Sequence, residues 1–273
     1  MKYSEYEQTC LNNLRLAESK IKKTNNFIVD IGSSYNSWFL DFPYSGILIE
    51  MELEKIMKMP TTPFYKKIHK KVTTSNICNI LKENNTPKDF YMMNLDIDGI
   101  DLWILHTVLA EYQPKIIITE INEKIPFPIK FSIKNDPNFY WNWCHLFGYS
   151  IACLEDIMKM YNYSIDSLHM NNIVLIKNEK TDKPNINEIG KIYIEGYLQN
   201  KIFPPPTYND DVKNLHECKT KEDVAIKWRE YFLNNPNPNN GKDQSENIDN
   251  YVINDEYEKY LEKFLKNRES VII

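Results

Sequence analysis

Apolar positions in this chain fall into short runs that alternate with helical stripes. Phe27 to Ile31 (FIVDI) is continuous apart from Asp30, and Gly46 to Glu50 (GILIE) is a second such run, again closed by an acid. Ile68 to Val72 is a weaker third, Phe90 to Leu95 a fourth and Lys115 to Ile121 (KIIITEI) the strongest. Runs this short with branched residues on both faces predict buried strands. Between and around them the 3.6-residue spacing predicts helices over 4–22, 75–85 (capped by Thr74 or Ser75), 102–112 (stopped before Pro114) and 151–161. Tyr163 to Leu168 and Ile173 to Lys177 flank the turn HMNN and predict an antiparallel hairpin.

Strands apolar on both faces and alternating with helices imply a mostly parallel sheet covered on both sides. The expected fold is therefore α/β and Rossmann-like, with five parallel β-α units and a closing antiparallel hairpin. The expected domain spans 1–180, its first helix included. A partly loop-like extension over 181–273 follows, with helices at about 221–233 and 255–267 separated by the Asn/Pro/Gly stretch 234–247.

Composition narrows the chemistry. The chain has 273 residues and a net charge of -5, which gives no global case for nucleic acid. The basic cluster Lys66, Lys67, Lys70 and Lys71 is read as a solvated strand edge, with a phosphate contact as the alternative. Only 7 glycines are present, which weighs against a Gly-rich phosphate cradle. The five cysteines stand singly, without the C-x-x-C spacing of zinc or redox sites. No stretch approaches the ~20 apolar residues of a membrane span. The first twenty residues lack the apolar core of a secretory signal, so a cytoplasmic location is expected. Self-association into a homo-oligomer is left open.

Ligands of such sheets lie beyond the carboxyl ends of the strands. Asp30, Glu50, Asp96 and Glu120 all fall at or near strand carboxyl ends, which is the main sequence evidence for a site. In LDIDG, Asp96 and Asp98 can point into one cleft across the turn made by Gly99, as hard oxygen ligands suited to Mg²⁺; alternatively Asp98 is a general base, or it caps the next helix. Glu120 and Asn122 alternate and so share a face, offering further ligands to the same cation. His145, within the aromatic segment YWNWCHLFGYS, is the expected general base, and Tyr140, Trp141 and Trp143 either stack on a sugar or form a packed lid. His106 is read as structural, and His69, His169 and His216 as exposed.

FIVDIGSS, YSGILIEME, the run PKDFYMMNLDIDGIDLWILHTVLAEYQPKIIITEIN and LFGYSIACLEDIMKMYNYS together resemble the FkbM-like branch of S-adenosylmethionine-dependent class I methyltransferases, over roughly residues 25–178. The resemblance implies S-adenosylmethionine as cofactor, contacted by Asp30, Gly32, Ser33, Glu50 (at the ribose hydroxyls) and Asp96. It implies a hydroxyl acceptor on a small molecule or glycan. Two rival readings follow from the residues: a metal-dependent glycosyltransferase using Asp96 and Asp98 as its D-x-D, and an inactive methyltransferase-like fold serving assembly.

Overall fold

The computed structural model describes residues 4–35, 37–141, 145–200, 210–234 and 259. The expected helix over 255–267, most of the loop 234–247, and Trp143 lie outside the described residues. A seven-stranded sheet forms the centre: β1 Phe27–Ile31, β2 Ser45–Glu50, β3 Tyr65–His69, β4 Met92–Leu95, β5 Ile116–Glu120, β6 Tyr163–His169 and β7 Asn172–Lys177. Its order is β3-β2-β1-β4-β5-β7-β6. The first five strands run parallel, and β7 pairs antiparallel with both β5 and β6. The fold is thus the Rossmann-like α/β arrangement with a closing hairpin. The chain reverses direction across the sheet between β1 and β4, which creates the crevice where such folds bind ligands.

Alternation along the strands sends side chains to two cores. Val29, Ile31, Ile47, Ile49, Met93 and Ile117 meet helices α3 (Ile77–Glu83), α4 (Asp101–Glu111) and α5 (Leu154–Tyr161) on one face. Ile28, Leu48, Met92 and Ile118 lie under Leu14 and Ala17 of α1 (Glu5–Lys20) on the other. Helix α1 begins with a reciprocal cap between Ser4 and Glu7. Helix α4 is apolar nearly all round and correspondingly buried.

Two features depart from the expected elements. The third strand lies three residues earlier than the apolar run at Ile68–Val72 suggests, because β3 is an edge strand whose register follows β2, Gly46 pairing with Tyr65 and Glu50 with His69. A short helix α2 (Leu53–Lys58) connects β2 to β3, packing through Ile56. Beyond residue 180, α6 (Ile189–Tyr193) and α7 (Lys221–Asn234) contribute Ile189, Tyr193, Val224 and Trp228 to the larger of the two cores. No described helix is long and apolar enough to cross a membrane.

Candidate functional site

The loops after β1, β2, β3 and β4 open onto one cleft of about 340 Å³, closed on its far side by residues 136–141. Gly32 sits at its floor with φ +88°, and a Cβ there would lie 1.7 Å from the carbonyl oxygen of Asp96. The turn after β1 therefore rides directly on the backbone of β4, an approach that only glycine permits. The N–H groups of Gly32 and Ser33 both donate to the Ile49 carbonyl, which ties this turn to β2 as well.

Glu50 ends β2 and is 5% exposed, yet it lines the cleft. One carboxylate oxygen accepts from the Ser34 N–H at 2.9 Å and the other from the Glu52 N–H at 2.8 Å. A carboxylate offers about four acceptor positions, so one on each oxygen stays available to a ligand hydroxyl. The two loops thus fix Glu50 without exhausting it. Gly32 and Glu50 together make a floor and an acceptor that fit an adenosyl group with vicinal hydroxyls.

Asp96 and Asp98 follow β4 and line the same cleft. The turn between them and α4 is held by Asp101, whose two carboxylate oxygens accept from Ile97 N–H at 3.0 Å and Gly99 N–H at 2.7 Å. These bonds fix the turn ahead of α4, and the helix start carries no side-chain cap, so the capping role the sequence reading offered to Asp98 is not filled. Burial raises the Asp101 carboxyl to about 7 despite those bonds. Asp98 takes a left-handed backbone at φ 50°. Asp96, Asp98 and Glu120 then bring one carboxylate oxygen each within 4.8 Å of one another. Opposite ligands on one hard cation are about 4.2 Å apart for Mg²⁺ and about 5 Å for Ca²⁺, so the three acids fit a divalent ion. All three carboxyls are held above their ordinary range, chiefly by burial and, for Asp96 and Glu120, next by repulsion from the neighbouring acids. Asn171 of the β6–β7 turn donates to Glu120, and Tyr6 of α1 donates to Asn171.

Other expected residues stand elsewhere. Asp30 shares its strand face with Ile28, so it points away from the cleft; it is 2% exposed and accepts from the Asn94 amide at 2.9 Å. Burial raises it to about 6. Ser33 is also buried, its hydroxyl bonding the carbonyls of Asp30 and Ile49, whereas its neighbour Ser34 lines the cleft. Asn122 is not among the clustered ligands: strand pairing ends at Glu120, and the buried Asn122 amide donates to the carbonyls of His145 and Phe147 at 2.9 and 3.0 Å. That anchoring turns the His145 ring toward α7, where it stacks with Trp228 (centroids 6.2 Å apart) and meets the edge of Tyr231. His145 does not line the cleft. His169 is buried and His216 half-buried, both against tyrosine rings, so neither is exposed as expected.

Two contributions were weighed too lightly from sequence. Lys70 and Lys71 line the cleft, the latter donating to the Phe139 carbonyl at 3.1 Å and so fastening the aromatic segment across the opening. Phe139, Tyr140 and Trp141 line that wall. Lys55, on α2, completes the cationic side and bonds Glu52. Their position past the ends of β2 and β3 depended on the true register of β3.

No family model matches the chain. No curated protein matches it either. Among solved structures it is similar to a chain from Streptococcus thermophilus described as a candidate hemolysin (10% identity, 68% of this chain and 71% of that one covered, TM-score 0.44). It is similar also to M. capricolum TrmK in complex with S-adenosyl-homocysteine (15% identity, 92% and 96% covered, TM-score 0.38). A third is an S-adenosylmethionine-dependent methyltransferase from Mesorhizobium loti (8% identity, 60% and 96% covered, TM-score 0.34). Likenesses this remote concern the general fold.

Proposed function

We propose that the chain is an S-adenosylmethionine-dependent O-methyltransferase whose acceptor is a sugar or glycan hydroxyl, assisted by a divalent cation at Asp96, Asp98 and Glu120. The observation that carries this reading is the meeting of Gly32, Glu50 and Asp96 in one cleft at the carboxyl rim of the sheet. The strand order, with its reversed seventh strand, supports the class.

Glu50 would bind the ribose hydroxyls through its remaining lone pairs, and the Gly32 turn would hold the amino-acid end beside Asp96. When bound there, the sulfonium cofactor supplies an already activated methyl group, so alignment and removal of one proton are what the protein must add. Where no cation is bound, Asp98 would take that proton on a carboxylate oxygen, its basicity raised by burial. Tyr140 and Trp141 offer ring faces to a sugar at the opposite wall. A cation at the three acids would bind the acceptor oxygen and favour its ionised form.

Calorimetry tests the reading directly. S-adenosylhomocysteine should bind the purified chain, and Glu50→Gln should weaken that binding ten- to a hundredfold. Absence of binding at millimolar ligand, together with binding of a nucleotide-sugar plus Mn²⁺, would move the assignment to a glycosyltransferase. No affinity for either would leave a binding or assembly module.

A further inference from the structure

Charge is segregated in this molecule. Residues 51–71 carry six lysines and two glutamates, a net +4, in a chain whose total is -5. These residues follow β2 and comprise helix α2 and the edge strand β3 at the outer end of the sheet. Among the described residues, Lys66 and Lys70 are exposed with no ion-pair partner, and Lys58 pairs with the exposed Glu54 and lies over the Tyr35 ring. The same stretch exposes large apolar side chains: Met57 at 73%, Phe64 at 63% and Leu53 at 53%. Leu53 and Met57 are one turn apart on α2, so they share its outer face while Ile56 is turned into the fold.

We propose that this α2–β3 side is a peripheral membrane surface, seated on an anionic bilayer with the cleft opening beside it. Lysines interleaved with exposed Leu, Met and Phe match a surface that offers negative headgroups above hydrocarbon. A nucleic acid would engage the lysines but leave three large apolar side chains in water. A second copy pairing edge to edge would set Lys66 and Lys67 against a partner strand of like charge, the arrangement that edge lysines oppose. Lys70, Lys71 and Met51 belong both to this side and to the cleft wall, so the headgroup layer would lie at the cleft mouth. The surface stands independently of the methyltransferase reading.

Vesicle cosedimentation of the full chain tests it, comparing phosphatidylcholine alone with phosphatidylcholine containing about one-third phosphatidylglycerol. Binding is expected to the anionic vesicles, at least tenfold weaker to the neutral ones, and released when salt rises from about 0.1 to about 0.5 M. The double variants Leu53→Ser/Met57→Ser and Lys58→Gln/Lys66→Gln should each weaken binding roughly tenfold or more. Both alter side chains outside the cleft wall, so each should keep the wild-type melting temperature and S-adenosylhomocysteine affinity. Failure to bind anionic vesicles, equal binding by both variants, or capture of a single-stranded RNA in place of vesicles would overturn the proposal. Loss of S-adenosylhomocysteine binding by the wild-type chain would instead strike the methyltransferase reading.

Discussion

Replacing Gly32 by alanine should damage the fold before it damages any ligand contact. A Cβ at Gly32 would lie 1.7 Å from the Asp96 carbonyl oxygen and 2.7 Å from its carbon, both backbone atoms of the adjoining chain. No side chain can swing aside to relieve that overlap. The β1 turn and the end of β4 would have to part by more than an ångström, breaking the Gly32 and Ser33 bonds to Ile49 and the Asp96 bond to Ile31. The left-handed backbone at φ +88° adds about 1 kcal/mol of its own. Together these predict a loss of about 3 kcal/mol or more, seen as a melting temperature roughly 6–12 °C lower. Gly148 supplies the control. Its φ is +56°, but a Cβ there meets nothing within 4 Å, so Gly148→Ala should cost only about 1 kcal/mol. Urea unfolding of both variants without ligand measures the difference. If Gly32→Ala were no less stable than Gly148→Ala, the close approach to β4 would be wrong as the reason for this glycine.

Other outcomes follow from the buried polar groups. Burial lowers His106 to about 3, so the folded state stays neutral while the unfolded chain protonates below about 6.5; the contribution of this residue should fall by roughly 2 kcal/mol between pH 7 and 5, against an opposing gain from the raised carboxyls of Asp30 and Asp101. The His106 share should appear as the difference between wild type and His106→Leu, and identical pH slopes for the two in urea titrations would refute the assignment. Asn122→Ala removes both bonds to the 145–147 segment and should cost about 2 kcal/mol in the same assay, with faster amide exchange at Leu146 and Phe147. Mn²⁺ affinity, followed by calorimetry, should rise with pH, because the raised carboxyls of Asp96, Asp98 and Glu120 must lose protons to ligate; Asp96→Asn should weaken it at least tenfold.

The parallel sheet was legible because its strands are apolar on both faces, a pattern that survives any ignorance of tertiary contacts. Glu50 and the D-x-D were legible for a related reason: an acid closing such a strand has nowhere to go but the rim. Asp30 misled because its strand continues to Ile31, so ordinary alternation carries the side chain to the α1 face. Asn122 misled in the opposite way, since the strand it was assigned to stops two residues earlier. The part Asp101 plays in holding the 97–99 turn was not legible, because it depends on the backbone reversal at Asp98. The short helices over 189–198 carry no strong stripe and form because the sheet and α5 give their apolar side chains a surface.

Two of the five described non-glycine residues with positive φ stand at one rim, beside a group of crowded acids. Ser34 and Asp98 are non-glycine residues in left-handed conformations, and both lie in loops that line the cleft. Three carboxyls crowd within 4.8 Å beside them, disfavouring their own ionisation. For such acids the folded state binds more protons than the unfolded one, so their contribution to stability is lost as pH rises above the unfolded value. At neutral pH this crowding opposes folding, and protons or a cation are what relieve it. Other buried polar groups are better bonded, though burial still raises two of them: Asp101 accepts two backbone amides and Asp30 an amide side chain, while Ser150 joins the Ile129 carbonyl to the Phe131 N–H. Strain and unrelieved charge that coincide at the ligand-binding edge of a sheet mark a place held for chemistry rather than for stability.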